Sequence, residues 1–242
     1  MRNHAIGRRL AKATRPLRAL ASLFFPHLCA ACGSHLLADR QSICLRCLSK
    51  LPETGFFSQP DNPLEKAFWG RMPVRAAGSL YYFNRTSLMQ NILHELKYAG
   101  NRECGIELGR LIGHALMASG RFREIDVIVP MPLFDAKKRL RGYNQSALLA
   151  EGVASVLLIE ANDKILKRVR NTSTQTHKSR TERWDNVKEV FKIMDASAVK
   201  DRSVLLIDDV ATTGASLEAC GRTLLEAGYS SLSIATAAFT ER

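Results

Sequence analysis

Residues 204–216 read VLLIDDVATTGAS, four apolar residues that run into two adjacent carboxylates and then a row of hydroxyls around a glycine. Asp208 and Asp209 fall where a buried strand would end, and a helix is expected from about Ser216. Backbone N–H groups at a helix start, flanked by Thr212, Thr213 and Ser216, suit one phosphate. Gly214 lets the backbone come close to it. Two carboxylates would repel a phosphate, but they can accept hydrogen bonds from sugar hydroxyls or approach a magnesium ion. The loop therefore asks for a phosphorylated sugar. Two other readings compete: a plain helix cap, and a metal-assisted phosphotransfer site. The G-x4-G-K-[ST] string of a nucleoside triphosphatase is absent.

The second cluster of chemically capable residues is CAACGSHLLADRQSICLRC. Cys29 and Cys32 form one C-x2-C pair, Cys44 and Cys47 another, with eleven residues between them. Two such knuckles place four thiolates around one zinc ion. Four cysteines leave no open coordination position, so the metal is expected to be structural. Cys104 and Cys220 stand alone and are expected to pack as small hydrophobes. The third cluster, Lys137, Lys138, Arg139 and Arg141 in PMPLFDAKKRLRGYNQ, follows an apolar strand. It reads as a basic loop suited to pyrophosphate. Asn144 and Gln145 are read as helix-capping residues. Lys97, at the end of a helical pattern, is a weaker candidate for phosphate contact, since a lysine there also complements the helix dipole. The six histidines are scattered and suggest no catalytic triad.

The elements that must position these residues alternate. Strands are expected at 74–83, 125–132, 164–169, 204–208 and 231–239, and helices at 86–100, 106–120, 144–158 and 216–228. This alternation predicts an α/β domain with a mostly parallel sheet flanked by helices, whose ligands bind beyond the carboxyl ends of the strands. Residues 1–22 read as a basic arm, 23–52 as the zinc-binding module, 53–71 as a proline-rich linker and 72–242 as the main domain. The 242-residue chain carries 35 basic and 23 acidic residues, a net charge of +12, which favours polyanionic partners. No apolar run reaches the ~18 residues of a membrane span. With paired thiols and no cleavage signal, a cytoplasmic protein is expected.

The thirteen-residue string at 204–216 resembles the phosphoribosyl pyrophosphate (PRPP) motif of type I phosphoribosyltransferases, with serine at the last position. HELKYAGNRE (94–103), the basic segment 129–150 and TSTQTHKSRTERWDNVKEVF (172–191) resemble the ComF proteins, competence-associated relatives that join a four-cysteine zinc module to such a domain. The likeness spans about residues 24–242. It implies a type I phosphoribosyltransferase fold and PRPP as ligand with Mg2+. Asp208 and Asp209 would take the ribose hydroxyls. The 5′-phosphate loop would comprise Ala211, Thr212, Thr213, Gly214, Ala215 and Ser216. The 168–186 segment would be a closing loop, with Gln175, Arg180 and Arg183 meeting phosphate or base. The expected function is a PRPP-site protein, leaning towards a phosphoribosyltransferase enzyme, linked to DNA uptake and contacting single-stranded DNA and the uptake machinery. A nucleobase-salvage enzyme is one alternative. A zinc-module nucleic-acid binder with a vestigial site is the other.

Overall fold

The computed structural model describes residues 28–35, 37, 41–84, 87–170 and 190–240. Two short helices, α1 (Leu45–Leu48) and α2 (Pro63–Lys66), precede strand β1 (Ala76–Tyr82). Then come α3 (Leu88–Tyr98), α4 (Arg102–Ser119), β2 (Val127–Pro130), α5 (Asp135–Arg141) and α6 (Gln145–Leu157). The chain continues through β3 (Leu166–Arg168), β4 (Phe191–Ile193), β5 (Ser203–Ala211), α7 (Ala215–Glu226) and β6 (Ser231–Phe239).

The main sheet has the order β1-β6-β5-β2, and every pair in it is parallel. Parallel strands covered on both faces read as near-continuous apolar runs. VLLI in β5 shows why: Leu205 and Ile207 join the core layer on one face, and Val204 and Leu206 join the layer on the other. The strand period of two divides a single run between two cores. The 164–169 stretch departs from the expectation of a parallel sheet. Its β3 segment pairs antiparallel with β4 and lies outside the main sheet. A three-residue strand with one buried side chain has too little apolar surface to enter the centre.

Helices α4 and α6 pack backbone to backbone. A Cβ on Gly109 would lie 2.2 Å from the Leu149 carbonyl oxygen, and one on Gly152 would lie 2.2 Å from the Ile106 oxygen. No larger residue fits at that crossing, and the close approach fixes α6, whose first turn faces the end of β5.

The proline-rich segment 53–71 is tightly packed. Phe56, Leu64 and Phe68 are buried. Asn62 caps α2 by accepting from Leu64 and Glu65 N–H groups, while its amide donates to the carbonyls of Phe56, Gln59 and Ala77. Glu65 accepts from the Ala77 N–H at 3.0 Å and pairs with Arg121 at 2.6 Å. Prolines and polar residues gave this stretch the look of a loop, yet its polar groups are spent on satisfying buried backbone.

Candidate ribose-phosphate cleft and four-cysteine centre

Strand β5 runs four residues further than its apolar VLLI stretch, so both aspartates still lie within the strand, with Asp208 opposite Thr236 of β6. Across the edge, Pro130 ends β2, and α6 begins after Asn144. The Asn144 side chain accepts from the Ser146 N–H and donates to the Met131 carbonyl at 3.0 Å, tying the helix start to the end of β2. Ser146 Oγ then donates to Asp208 Oδ1 at 3.0 Å, and the Asp209 N–H donates to the same oxygen at 2.8 Å. Asp209 Oδ2 lies 2.8 Å from Lys97 Nζ, brought there by the last turn of α3.

These groups line a cleft of about 170 Å³ that also takes in Lys137, Arg141, Gln145, Arg168 and Ser216. Burial, followed by the neighbouring Asp209 carboxylate, pushes Asp208 up to about 7. The Asp209 N–H, the Ser146 hydroxyl and Lys97 act in the opposite direction. The floor of the cleft thus offers carboxylate oxygens to hydroxyl donors, and its walls offer cations to anions.

The residues singled out in the sequence divide between several places. Asp208, Asp209, Lys97, Lys137, Arg141 and Ser216 meet in the cleft. The basic segment is the helix α5 rather than a loop, closed by Gly142 in the left-handed conformation. Helical spacing places Lys137 and Arg141, four residues apart, together at the cleft. Lys138 turns instead towards Asp163, at 3.6 Å, and Arg139 is exposed. In the 211–216 loop, Ala211 is buried as the end of β5, and Thr212, Thr213, Ala215 and Ser216 are exposed around Gly214. Gly214 has φ +74°, and a Cβ there would lie 3.0 Å from the Phe68 ring. Arg71 holds this loop from behind by donating to the Thr213 carbonyl at 3.2 Å and pairing with Glu218. Gln175, Arg180 and Arg183 lie outside the described residues.

Sequence reasoning missed Arg168 and Ser146 and read Gln145 only as a capping residue. Arg168 ends β3, stacked 5.5 Å over the Phe191 ring. Its signal was available: it is a charged residue at the carboxyl end of a strand, as Asp208 is. Gln145 Oε1 accepts from Arg141 at 2.8 Å, holding that guanidinium at the cleft.

The four cysteines of the N-terminal pairs converge, with all four sulfurs within 4.8 Å of one another. Cys32 and Cys44 Sγ are 3.9 Å apart. Tetrahedral zinc with Zn–S bonds of about 2.3 Å needs sulfurs about 3.8 Å apart, so the donor set fits such an ion. Gly33 turns the first knuckle at φ +69°, and its N–H donates to the Cys29 carbonyl. The Cys44 N–H donates to Cys29 Sγ at 3.3 Å, and Ser34 holds the Cys32 thiol down to about 6. The module is joined to the main domain. Cys29, Ile43 and Cys47 share a core with Met89, Ile92 and Leu108, and the Asn91 amide donates to the Ala31 carbonyl at 2.8 Å. Cys104 and Cys220 are buried, as expected of isolated thiols. Among the described residues, no helix is long and apolar enough to cross a membrane.

The Phosphoribosyl transferase domain family model matches residues 144–242, from the cap of α6 through β6. The DNA utilization protein YhgH of Salmonella typhimurium is 27% identical over 88% of this chain and 96% of its own length. Competence protein F of Haemophilus influenzae is 28% identical over 87% of this chain and 83% of its own. Competence protein ComFC of Bacillus subtilis is 31% identical over 64% and 60%. Among solved structures, the glutamine PRPP amidotransferase from B. subtilis aligns at 16% identity with a TM-score of 0.41. That alignment covers 60% of this chain and 30% of the amidotransferase.

Proposed function

Taking this chain as a homologue of the Competence protein F and ComFC proteins that carries a phosphoribosyl transferase domain, we propose that its cleft binds PRPP or a related ribose 5-phosphate and serves DNA uptake. The observation that carries the reading is the convergence of Asp208 and Asp209 with Ser216 and the cations of α5 in one cleft. Asp208 and Asp209 accept from the ribose hydroxyls. The 212–216 loop, braced by Arg71 and Phe68, holds the 5′-phosphate. Lys137 and Arg141 face the pyrophosphate.

The reaction this arrangement supports is ribosyl transfer. An incoming nitrogen bonds to C1, the C1–O bond to pyrophosphate breaks, and the nitrogen gives up its proton to the departing pyrophosphate. Charge grows on the leaving oxygens, and Lys137 and Arg141, which line the cleft, would offset it. Mg2+ would neutralise charge on the pyrophosphate when bound with it. The fixed phosphate supplies binding energy that is realised as positioning of C1. The four cysteines hold a structural zinc ion, and their thiols suit the reducing cytoplasm. Single-stranded DNA and the uptake machinery are the proposed macromolecular partners, favoured by the net charge of +12.

The test is calorimetric titration of magnesium-PRPP into the wild type and the Asp208→Asn/Asp209→Asn double variant. Saturable binding that the double variant loses is expected. A folded, zinc-loaded wild type that takes up no PRPP would refute the proposal.

A further inference from the structure

We infer that the Lys97 ammonium serves as a built-in counter-charge for the acidic pair, so that the ribose 5-phosphate half of the ligand binds without a divalent cation. The inference rests on the ribose-phosphate reading of the cleft and deepens it. Two adjacent carboxylates at the floor of a site for a polyanion would ordinarily call for a metal ion between them and the ligand. Here an ammonium already stands 2.8 Å from Asp209 Oδ2, with the two side chains only 24% and 9% exposed. A lysine that merely complemented the helix dipole would extend into solvent past the last carbonyls. Lys97 instead lines the cleft.

The ammonium is also held in place. Helix α3 starts from the Ser87 cap and buries Met89, Ile92, Leu93 and Leu96. Its first half is tied to the cysteine module through Asn91 and the Ala31 carbonyl. Its last turn is tied to the segment before α6, because Tyr143 Oη donates to the Leu96 carbonyl at 2.6 Å. The residue after Leu96 is Lys97, so the charge is positioned by the fold before any ligand arrives. A preorganised charge spends little reorganisation on binding. A hydrated magnesium ion at the same carboxylates would have to displace this ammonium and shed waters it gives up reluctantly. Magnesium is then required only where the pyrophosphate lies.

The experiment titrates ribose 5-phosphate, and separately PRPP, into the full zinc-loaded chain in buffer stripped of divalent ions, with and without magnesium chloride. Wild type, Lys97→Met and Lys97→Arg are compared. Wild-type affinity for ribose 5-phosphate should change less than about threefold when magnesium is omitted. Without magnesium, Lys97→Met should lose on the order of tenfold or more, the scale of removing one partner from a buried charge pair. Magnesium should restore much of that loss, and Lys97→Arg should behave nearly as wild type. PRPP should keep its magnesium dependence in all three. Wild-type binding of ribose 5-phosphate that vanishes without magnesium overturns the inference while leaving the ribose-phosphate site intact. So does a Lys97→Met protein that binds like wild type in both buffers. Failure of both ligands to bind the wild type under any condition refutes the ribose-phosphate reading itself.

Discussion

Replacing Asp208 by asparagine should make the protein more stable and less able to bind its proposed ligand, and the gain should be absent near pH 4 and reach its full size above neutral pH. The carboxyl has its ordinary value of 3.8 in the unfolded chain and about 7 in the fold, raised chiefly by burial and then by Asp209. Between those values the folded state binds more protons than the unfolded one, so stability falls as pH rises through the interval and levels off above it. The interval corresponds to about 4 kcal/mol at most, and half of that, about 2 kcal/mol, is a reasonable expectation after local relaxation. Asparagine keeps the oxygen that accepts from Ser146 and the Asp209 N–H and removes the charge. Equilibrium denaturation of both proteins from pH 4 to pH 9 is the assay. The variant-minus-wild-type difference should be near zero at pH 4, grow across pH 5–7 and stay constant above pH 8. A flat difference, or a variant less stable than wild type at pH 8, would refute the reasoning. In the proposed binding mode the cost is functional, because the amide puts a donor NH2 where the carboxylate offered a second acceptor to the sugar hydroxyls, and such a trade is common at sites built for ligands.

Gly109→Ala should destabilise by about 3 kcal/mol or more, read as a fall in melting temperature, because its Cβ meets the Leu149 oxygen at 2.2 Å and backbone cannot move aside cheaply. Cys44→Ser should lose zinc by elemental analysis and lower the stability of the main domain as well, since the cysteine module shares its core with α3 and α4. Arg71→Ala should weaken ribose 5-phosphate binding several-fold in calorimetry by freeing the 212–216 loop, at a small cost in stability for a pair that is partly exposed. A fragment beginning at residue 72 should fail to fold cooperatively by circular dichroism, because it leaves Arg121 and the Ala77 N–H and carbonyl without Glu65 and Asn62.

The legible parts of the sequence were those in which one strong local signal dominates. The strand at 231–239 was placed at its observed limits, and the VLLIDD strand and its following glycine turn were placed within three residues. The four-cysteine cluster was readable because C-x2-C pairs have few other uses. The helical state of Asp135–Arg141 was hidden, because a seven-residue helix with no buried residue has no apolar period to read. The packing of 53–71 was hidden for a different reason. Its buried aromatics follow no period, and Asn62, fully buried and bonded at both side-chain polar atoms, looks in sequence like a turn residue. Ser146 was missed because its role depends on a contact across 62 residues, which no local window contains.

The net charge of +12 does not by itself point to the cleft, since basic residues spread over a surface attract any polyanion without selecting one. Selectivity comes from how opposite charges alternate along the cleft. Lys137 and Arg141 come from α5, Lys97 from the last turn of α3 and Arg168 from the end of β3, around two carboxylates. A bare polyphosphate would find the cations but would also meet Asp208 and Asp209. A free sugar would find the carboxylates and leave the cations unsatisfied. A sugar that carries phosphate at 5′ and pyrophosphate at C1 brings hydroxyls to the floor and anions to the walls in one molecule. The same geometry explains why Lys97 belongs at Asp209. In the proposed binding mode it would lower the repulsion that the floor presents to the ligand's phosphates, yet it comes from α3 and would leave the α5 cations free for the pyrophosphate.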